Sequence, residues 1–152
     1  MVKQPLLRIT KKFTFEMAHA IMGYPGKCSQ IHGHSYKLSV TVIGQICDKD
    51  SGMVIDFKML KDLITDTIIT PYDHKFVIKD TDEGRELAVQ MEKVGQKVSL
   101  CPFPPTTENL LLHFVDKIKT VLPEHINLHS VLLQETENSY AEWYHEDQLK
   151  TS

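Results

Sequence analysis

Two stretches of period-two alternation limit what this chain can fold into more than any other feature. From Leu7 to His19 the odd positions are Leu7, Ile9, Lys11, Phe13, Phe15, Met17 and His19, while Arg8, Thr10, Lys12, Thr14 and Glu16 fill the even ones. From His32 to Gly44 the even positions are His32, His34, Tyr36, Leu38, Val40 and Val42, opposed by Ser35, Lys37, Ser39 and Thr41. One apolar and one polar face at this period reads as a half-buried strand. Residues 20–31 between them are a loop punctuated by Gly23, Pro25 and Gly26, which allows the strands to pair as a hairpin. In both strands the histidines extend the apolar face, so a hairpin brings His19 and His32 to adjoining strand ends.

The rest of the chain supplies helices and two more strands. A short segment, Met53-Val54-Ile55, follows a turn at Asp50-Ser51-Gly52. Asp56 suits an N-cap for a helix over Phe57 to Ile69, with Phe57, Leu60, Ile64 and Ile68 at helical spacing and Pro71 as its stop. A second helix over Thr107 to Leu122 carries Leu110, Leu111, Phe114, Val115, Ile118, Val121 and Leu122 on one stripe. Thr106 or Thr107 can cap it. Strands are predicted over Leu128 to Glu135 and Tyr140 to His145. The stretch 79–103 is charged, then Pro-rich, and weakly periodic. It reads as an insertion or surface excursion with a short helix near Glu83 to Lys93. The order β-β-α-α-β-β predicts an α+β domain over 1–152, with a four-stranded antiparallel sheet and two helices on one face.

Composition removes several classes of function. The chain has 152 residues, enough for one domain with its own core. Seventeen Lys and Arg against twenty Asp and Glu give a net charge of −3. There is thus no general basic excess for nucleic acid. No apolar run approaches a membrane span, and Met1 to Ile9 shows no signal-peptide core, so a cytoplasmic location is expected. Cys28, Cys47 and Cys101 are too sparse for a disulfide framework and form no CxxC pair.

The chemistry concentrates in Cys28-Ser29-Gln30-Ile31-His32-Gly33-His34. Residues two apart on a strand share a face at roughly 6.5 Å, close enough for two imidazoles to reach one metal ion. His19 on the matching face can be the third ligand. Three neutral imidazoles suit Zn2+ and leave a position for water or substrate, the pattern of a catalytic site. Against this, paired strand histidines also serve for packing and hydrogen bonding. Cys28 would lie near the metal as a base or nucleophile, although a buried thiol or a fourth zinc ligand fits the same position. Asp73-His74 can form a proton relay or a simple turn. Glu135, ending the apolar run Val131-Leu132-Leu133-Gln134, can accept paired N–H donors from a heterocycle or remain solvated.

Together these blocks resemble the 6-pyruvoyl-tetrahydropterin synthase superfamily over nearly the full length. The resemblance rests on Phe13-Thr14-Phe15-Glu16-Met17-Ala18-His19, Cys28-x3-His32-Gly33-His34-Ser35-Tyr36, Gly52 to Phe57, Tyr72-Asp73-His74, Pro105-Thr106-Thr107-Glu108-Asn109 and Gln134-Glu135-Thr136. It implies the tunnelling fold (T-fold), with subunits closing into trimeric barrels that stack as a homohexamer and hold active sites between subunits. It further implies His19, His32 and His34 as zinc ligands and Cys28 as the acid/base thiol. Asp73 and His74 become a relay delivered from a neighbouring subunit, and Glu135 becomes the pterin anchor, with Thr106 and Thr107 beside it. The implied substrate is 7,8-dihydroneopterin triphosphate. The short spacing from Cys28 to His32 is most similar to the bacterial 6-carboxy-5,6,7,8-tetrahydropterin synthases of queuosine (7-deazaguanine) biosynthesis. The alternatives are pyruvoyl-forming synthases and a non-catalytic zinc- or pterin-binding protein.

Overall fold

The computed structural model describes residues 3–151. Its framework is the expected hairpin. Strands β1 (Leu7–His19) and β2 (His32–Gly44) pair antiparallel in unbroken register from Leu7 opposite Gly44 to His19 opposite His32. The alternation reads out as burial. Phe15 and Met17 on β1, and Tyr36, Leu38, Val40 and Val42 on β2, are buried, whereas Lys12, Thr14 and Glu16 face solvent.

Helix α1 (Phe57–Ile64) starts at Asp56, whose carboxylate accepts the Lys58 N–H at 2.7 Å. It does not stop before Pro71. The chain continues through a widened turn (Thr65–Ile69) into a last turn, α2 (Thr70–Tyr72), that contains the proline. Pro71 has no N–H to give to a carbonyl four residues back. The widened turn, in which Thr70 N–H reaches Thr65 O, changes the bonding register just before it.

Residues 75–103 depart furthest from expectation. The helix expected near Glu83 to Lys93 is present as α3 (Asp82–Lys93), but it is flanked by two strands that were not expected, β3 (Lys75–Lys79) and β4 (Val98–Cys101). β3 joins β1 in parallel at Met17–His19, and β4 joins β3 in parallel. The main sheet closes with α4 (Thr107–Val121), β5 (Asn127–Thr136), β6 (Ser139–Tyr144) and a terminal turn, α5 (His145–Gln148). Among the described residues the sheet therefore has six strands in the order β4-β3-β1-β2-β5-β6, mixed rather than purely antiparallel. The expectation of four antiparallel strands is corrected accordingly.

A third helix is added to the two expected on one face. α1 and α4 cover one face, giving a core of Phe15, Tyr36, Leu38, Leu60, Ile64, Leu110, Phe114 and Ile118. α3 covers the opposite side of β3. Its Leu87 and Met91 pack on Phe76 and Ile78, while Val77 between them points into the main core. Burial on both faces is normal for a parallel strand with a crossover helix. Phe114 is fully buried, with its ring edge-on to Phe15 at 6.2 Å and to Tyr72 at 5.1 Å. Phe114→Ala should cost about 3–5 kcal/mol, read by denaturant unfolding of the metal-free protein. A loss below about 1 kcal/mol would contradict this packing. No helix among the described residues is long and apolar enough to cross a membrane.

Candidate metal centre and substrate cavity

The hairpin places His19 opposite His32, and His34 two residues further along the same face of β2. Their rings gather with centroids 4.6, 5.2 and 4.9 Å apart. Each offers a nitrogen to one point, and a Glu135 carboxylate oxygen joins them, all four donors lying within 4.8 Å of one another. Glu135 Oε1 stands 3.0 Å from His34 Nε2 and 3.3 Å from His19 Nε2. It arrives from the end of β5, which pairs with β2.

Two backbone carbonyls decide which nitrogens face inward. His19 Nδ1 lies 2.7 Å from the Pro105 carbonyl, and His32 Nδ1 lies 2.7 Å from the Gln30 carbonyl. A carbonyl only accepts, so each Nδ1 carries the proton and donates it. In the neutral rings both Nε2 atoms are then bare lone pairs, yet they face each other at 3.1 Å. Two acceptors hold that distance only with a cation between or beside them. His34 Nε2 is also buried without a well-aligned hydrogen bond. These features fit a divalent metal bound by imidazole nitrogens whose far sides are held by outer-shell acceptors.

The electrostatics agree. Burial lowers the His34 pKa below its ordinary value, against Glu135, which raises it, and with the help of His19 and His32. The ring is thus kept neutral, as a metal ligand must be. The Glu135 carboxyl is held below its usual range chiefly by the adjacent His19 ring, against the cost of burial, with His34 and Thr107 adding to the lowering. Tyr36 lies beneath the cluster, its hydroxyl 3.5 Å from His19 Nδ1, and burial raises its pKa far above the ordinary value.

Beside the cluster opens a cavity of about 330 Å³ that includes His19, Cys28, Thr106, Thr107 and Glu135 in its wall. This volume lies at the lower end of the range for small-molecule sites. Cys28 sits on a single helical turn (Lys27–Ser29), exposed, and the loop is tied by the Ile21 N–H donating to the Cys28 carbonyl at 2.8 Å. The thiol is not among the converging donors. Thr106 caps α4 by accepting the Asn109 N–H, while the Thr107 hydroxyl is buried without a well-aligned partner. Tyr24 adds an aromatic wall. Its ring lies so close to Gly26 that a Cβ there would stand 2.8 Å from Tyr24 Cε1.

Asp73 and His74 are paired, but elsewhere. Asp73 Oδ1 accepts the Glu16 N–H at 2.9 Å and lies 2.9 Å from His74 Nδ1. His74 holds a left-handed backbone (φ 59) and gives its N–H to Glu16 O at 2.6 Å. Burial raises the Asp73 pKa, but the hydrogen bonds from Glu16 and His74 outweigh it, and the carboxyl titrates below its usual range. His74 borders a different depression, whose wall includes Glu16, Ala18, Gly33 and Ser35 and also His34 of the donor cluster. Within one chain, then, the fold brings His19, Glu135, Cys28, Thr106 and Thr107 around one cavity, sets His32 and His34 against His19 in the donor cluster, and leaves Asp73-His74 at a second depression that His34 also borders.

Sequence reasoning passed over the carbonyls of Pro105 and Gln30, because any residue carries one. It also passed over Tyr24, Ser139 and Tyr140 in the cavity wall. The turn Gly23-Tyr24-Pro25-Gly26 was a usable signal for the first of these, since a tyrosine between turn-formers rarely packs in a core.

A family model for 6-pyruvoyl tetrahydropterin synthase matches residues 8–146. A 6-carboxy-5,6,7,8-tetrahydropterin synthase of Haemophilus influenzae is 34% identical over 141 residues, covering 91% of this chain and 99% of the relative. The protein of that name from Rickettsia typhi is 33% identical over 140 residues, covering 90% and 99%. A 6-pyruvoyl tetrahydrobiopterin synthase of Drosophila melanogaster is 30% identical over 148 residues, covering 90% and 78%. Among solved structures, 6-pyruvoyl tetrahydropterin synthase of Caenorhabditis elegans superposes with a TM-score of 0.68 at 23% identity, covering 95% and 99%, which supports the fold alone. The match spans the hairpin, both main helices and the β5 carboxylate, and on that evidence the chain belongs to the 6-pyruvoyl tetrahydropterin synthase family.

Proposed function

We propose that this protein is a zinc-dependent 6-carboxy-5,6,7,8-tetrahydropterin synthase that converts 7,8-dihydroneopterin triphosphate and water into 6-carboxytetrahydropterin, acetaldehyde and triphosphate, a lyase step of queuosine biosynthesis. The observation that carries this reading is the convergence of three imidazoles, with Nε2 of His19 and His32 left bare, beside a cavity that also exposes Cys28. The names of the bacterial relatives at 33–34% identity support the subtype.

Zinc on His19, His32 and His34 would supply Lewis-acid stabilisation of negative charge developing on side-chain oxygens of the substrate. Every other task falls to the polypeptide. Glu135, ionised, accepts the paired N–H donors of the amino-pyrimidinone edge, with Thr106 and Thr107 alongside it. The Cys28 thiol, exposed to the same cavity, takes and returns a proton on the substrate side chain. Asp73 fixes the His74 ring through Nδ1, which leaves Nε2 free for proton transfer. The pair lies outside the Cys28 cavity of its own chain, at a depression that His34 also borders, and in this reading it serves the cavity of a neighbouring subunit. A homohexamer built as a dimer of trimers meets that requirement. Asp73→Asn should lower kcat by about 10²-fold with zinc content unchanged. Wild-type turnover in that variant would remove the pair from the mechanism.

Zinc-loaded protein mixed with the substrate, its products weighed by mass spectrometry, tests the assignment. Stoichiometric acetaldehyde with a carboxypterin is expected. The relation to the Drosophila protein favours one second reading, loss of triphosphate to give a pyruvoylpterin without acetaldehyde. No turnover by a metal-bound assembly would leave a zinc- or pterin-binding protein.

A further inference from the structure

We propose that Asn109 is a positioning residue for the metal centre, acting on His19 through the main chain of Pro104 and Pro105; this rests on the metal reading of the three-histidine cluster. The Asn109 side chain donates from Nδ2 to the Pro104 carbonyl at 2.9 Å. The same carbonyl accepts the Thr106 N–H at 2.8 Å, which closes a three-residue turn around Pro105. The carbonyl of Pro105, at the centre of that turn, accepts His19 Nδ1–H at 2.7 Å.

The segment leading to α4 reads Cys101-Pro102-Phe103-Pro104-Pro105, in which three of five residues have no N–H. Its backbone cannot anchor itself with a ladder of hydrogen bonds. Cys101 Sγ–H holds the Phe103 carbonyl at 3.0 Å, and the Pro104–Pro105 end is held by α4, which is fixed in the core by Leu110, Leu111 and Phe114. Asn109 is half-buried in the first turn of that helix, its own N–H bound to Thr106 Oγ1 at 3.2 Å. A continuous path therefore runs from the core to α4, Asn109, the Pro104–Pro105 turn and the His19 ring. Its effect is to keep the His19 proton on Nδ1 and the Nε2 lone pair toward the metal. Outer-shell acceptors fix ligand tautomers in this way. Thr106 closes the same turn and Thr107 opens α4 directly after it, so the ring-binding end of the cavity and the metal end share one support.

The test compares wild type with Asn109→Asp, which keeps the shape but removes the donor, and with Asn109→Ala, which removes the group without adding charge. Zinc affinity is measured by chelator competition. The His19 tautomer in the metal-free protein is read by nitrogen-15 imidazole spectra. Both variants should bind zinc about 3- to 10-fold more weakly, at or below the low end for a direct outer-shell partner. Both should also show His19 as a mixture of tautomers in place of Nδ1–H alone. A defect confined to helix stability would lower the melting temperature and leave the tautomer unchanged, and that result overturns the inference. Wild-type zinc affinity and an unshifted tautomer in either folded variant overturn it as well, with the metal reading intact. Wild-type protein that takes up no zinc overturns the metal reading itself, and this inference with it.

Discussion

His34→Ala should strip the centre of its metal. The remaining donors would be two imidazoles and a carboxylate, and the removed ring is the one whose Nε2 is buried without a well-aligned hydrogen bond. The loss should exceed the 10–100-fold typical of outer-shell changes, reaching roughly 10³-fold or more in zinc affinity. His34 is a cleaner choice than His19 because its side chain is 17% exposed against 3%, so truncation leaves a less enclosed void. His19 also ties β1 to the Pro105 turn, and removing it would mix two effects. The metal-free variant should melt near the metal-free wild type, while zinc should raise the melting temperature of the wild type alone. Full zinc occupancy in His34→Ala would refute the ligand set.

The second large effect concerns proton transfer. Cys28→Ala should retain zinc, since the thiol is outside the converging donors, and lose turnover by about 10²- to 10⁴-fold. His74→Ala should be similarly inactive. The two lesions lie in different cavities of one chain, Cys28 beside His19 and Glu135, and His74 beside Glu16 and Gly33. If active sites form between subunits, unfolding and reassembling the two variants together should restore part of the activity, because some sites then receive Cys28 from one chain and His74 from another. Two variants that stay silent after mixing, in oligomers shown to contain both chains, would refute delivery of His74 from a neighbouring subunit.

How far the sequence foretold this arrangement depends on what each residue reports. β1 and β2 were legible to the residue, because each is buried on one face and pays for that burial with visible alternation. His19, His32 and His34 could be placed from that alternation alone. β3 was not legible. Phe76, Val77 and Ile78 are all buried, two toward α3 and one toward the main core, so the segment has no period to read. β4 is only Val98–Cys101, and its place at the sheet edge follows from tertiary pairing with β3. The predicted stop at Pro71 failed because a widened turn upstream accommodated the ring. Asp56 and Thr106 were legible as caps, since capping needs a short polar side chain at a fixed offset. The carbonyls of Gln30 and Pro105 were illegible by nature. Glu135 was visible as a carboxylate ending an apolar strand, but only folding shows it within reach of His34.

The central claim is a metal centre of three imidazoles with a further position left to oxygen. Zinc K-edge absorption on the zinc-loaded protein, with metal content measured per chain, tests it most directly. The expected result is one zinc per chain with three nitrogen neighbours at about 2.0–2.1 Å and oxygen completing the shell. A sulfur neighbour at about 2.3 Å would make Cys28 a ligand and end its assignment as acid/base. Protein that remains zinc-free under loading would contradict the centre altogether.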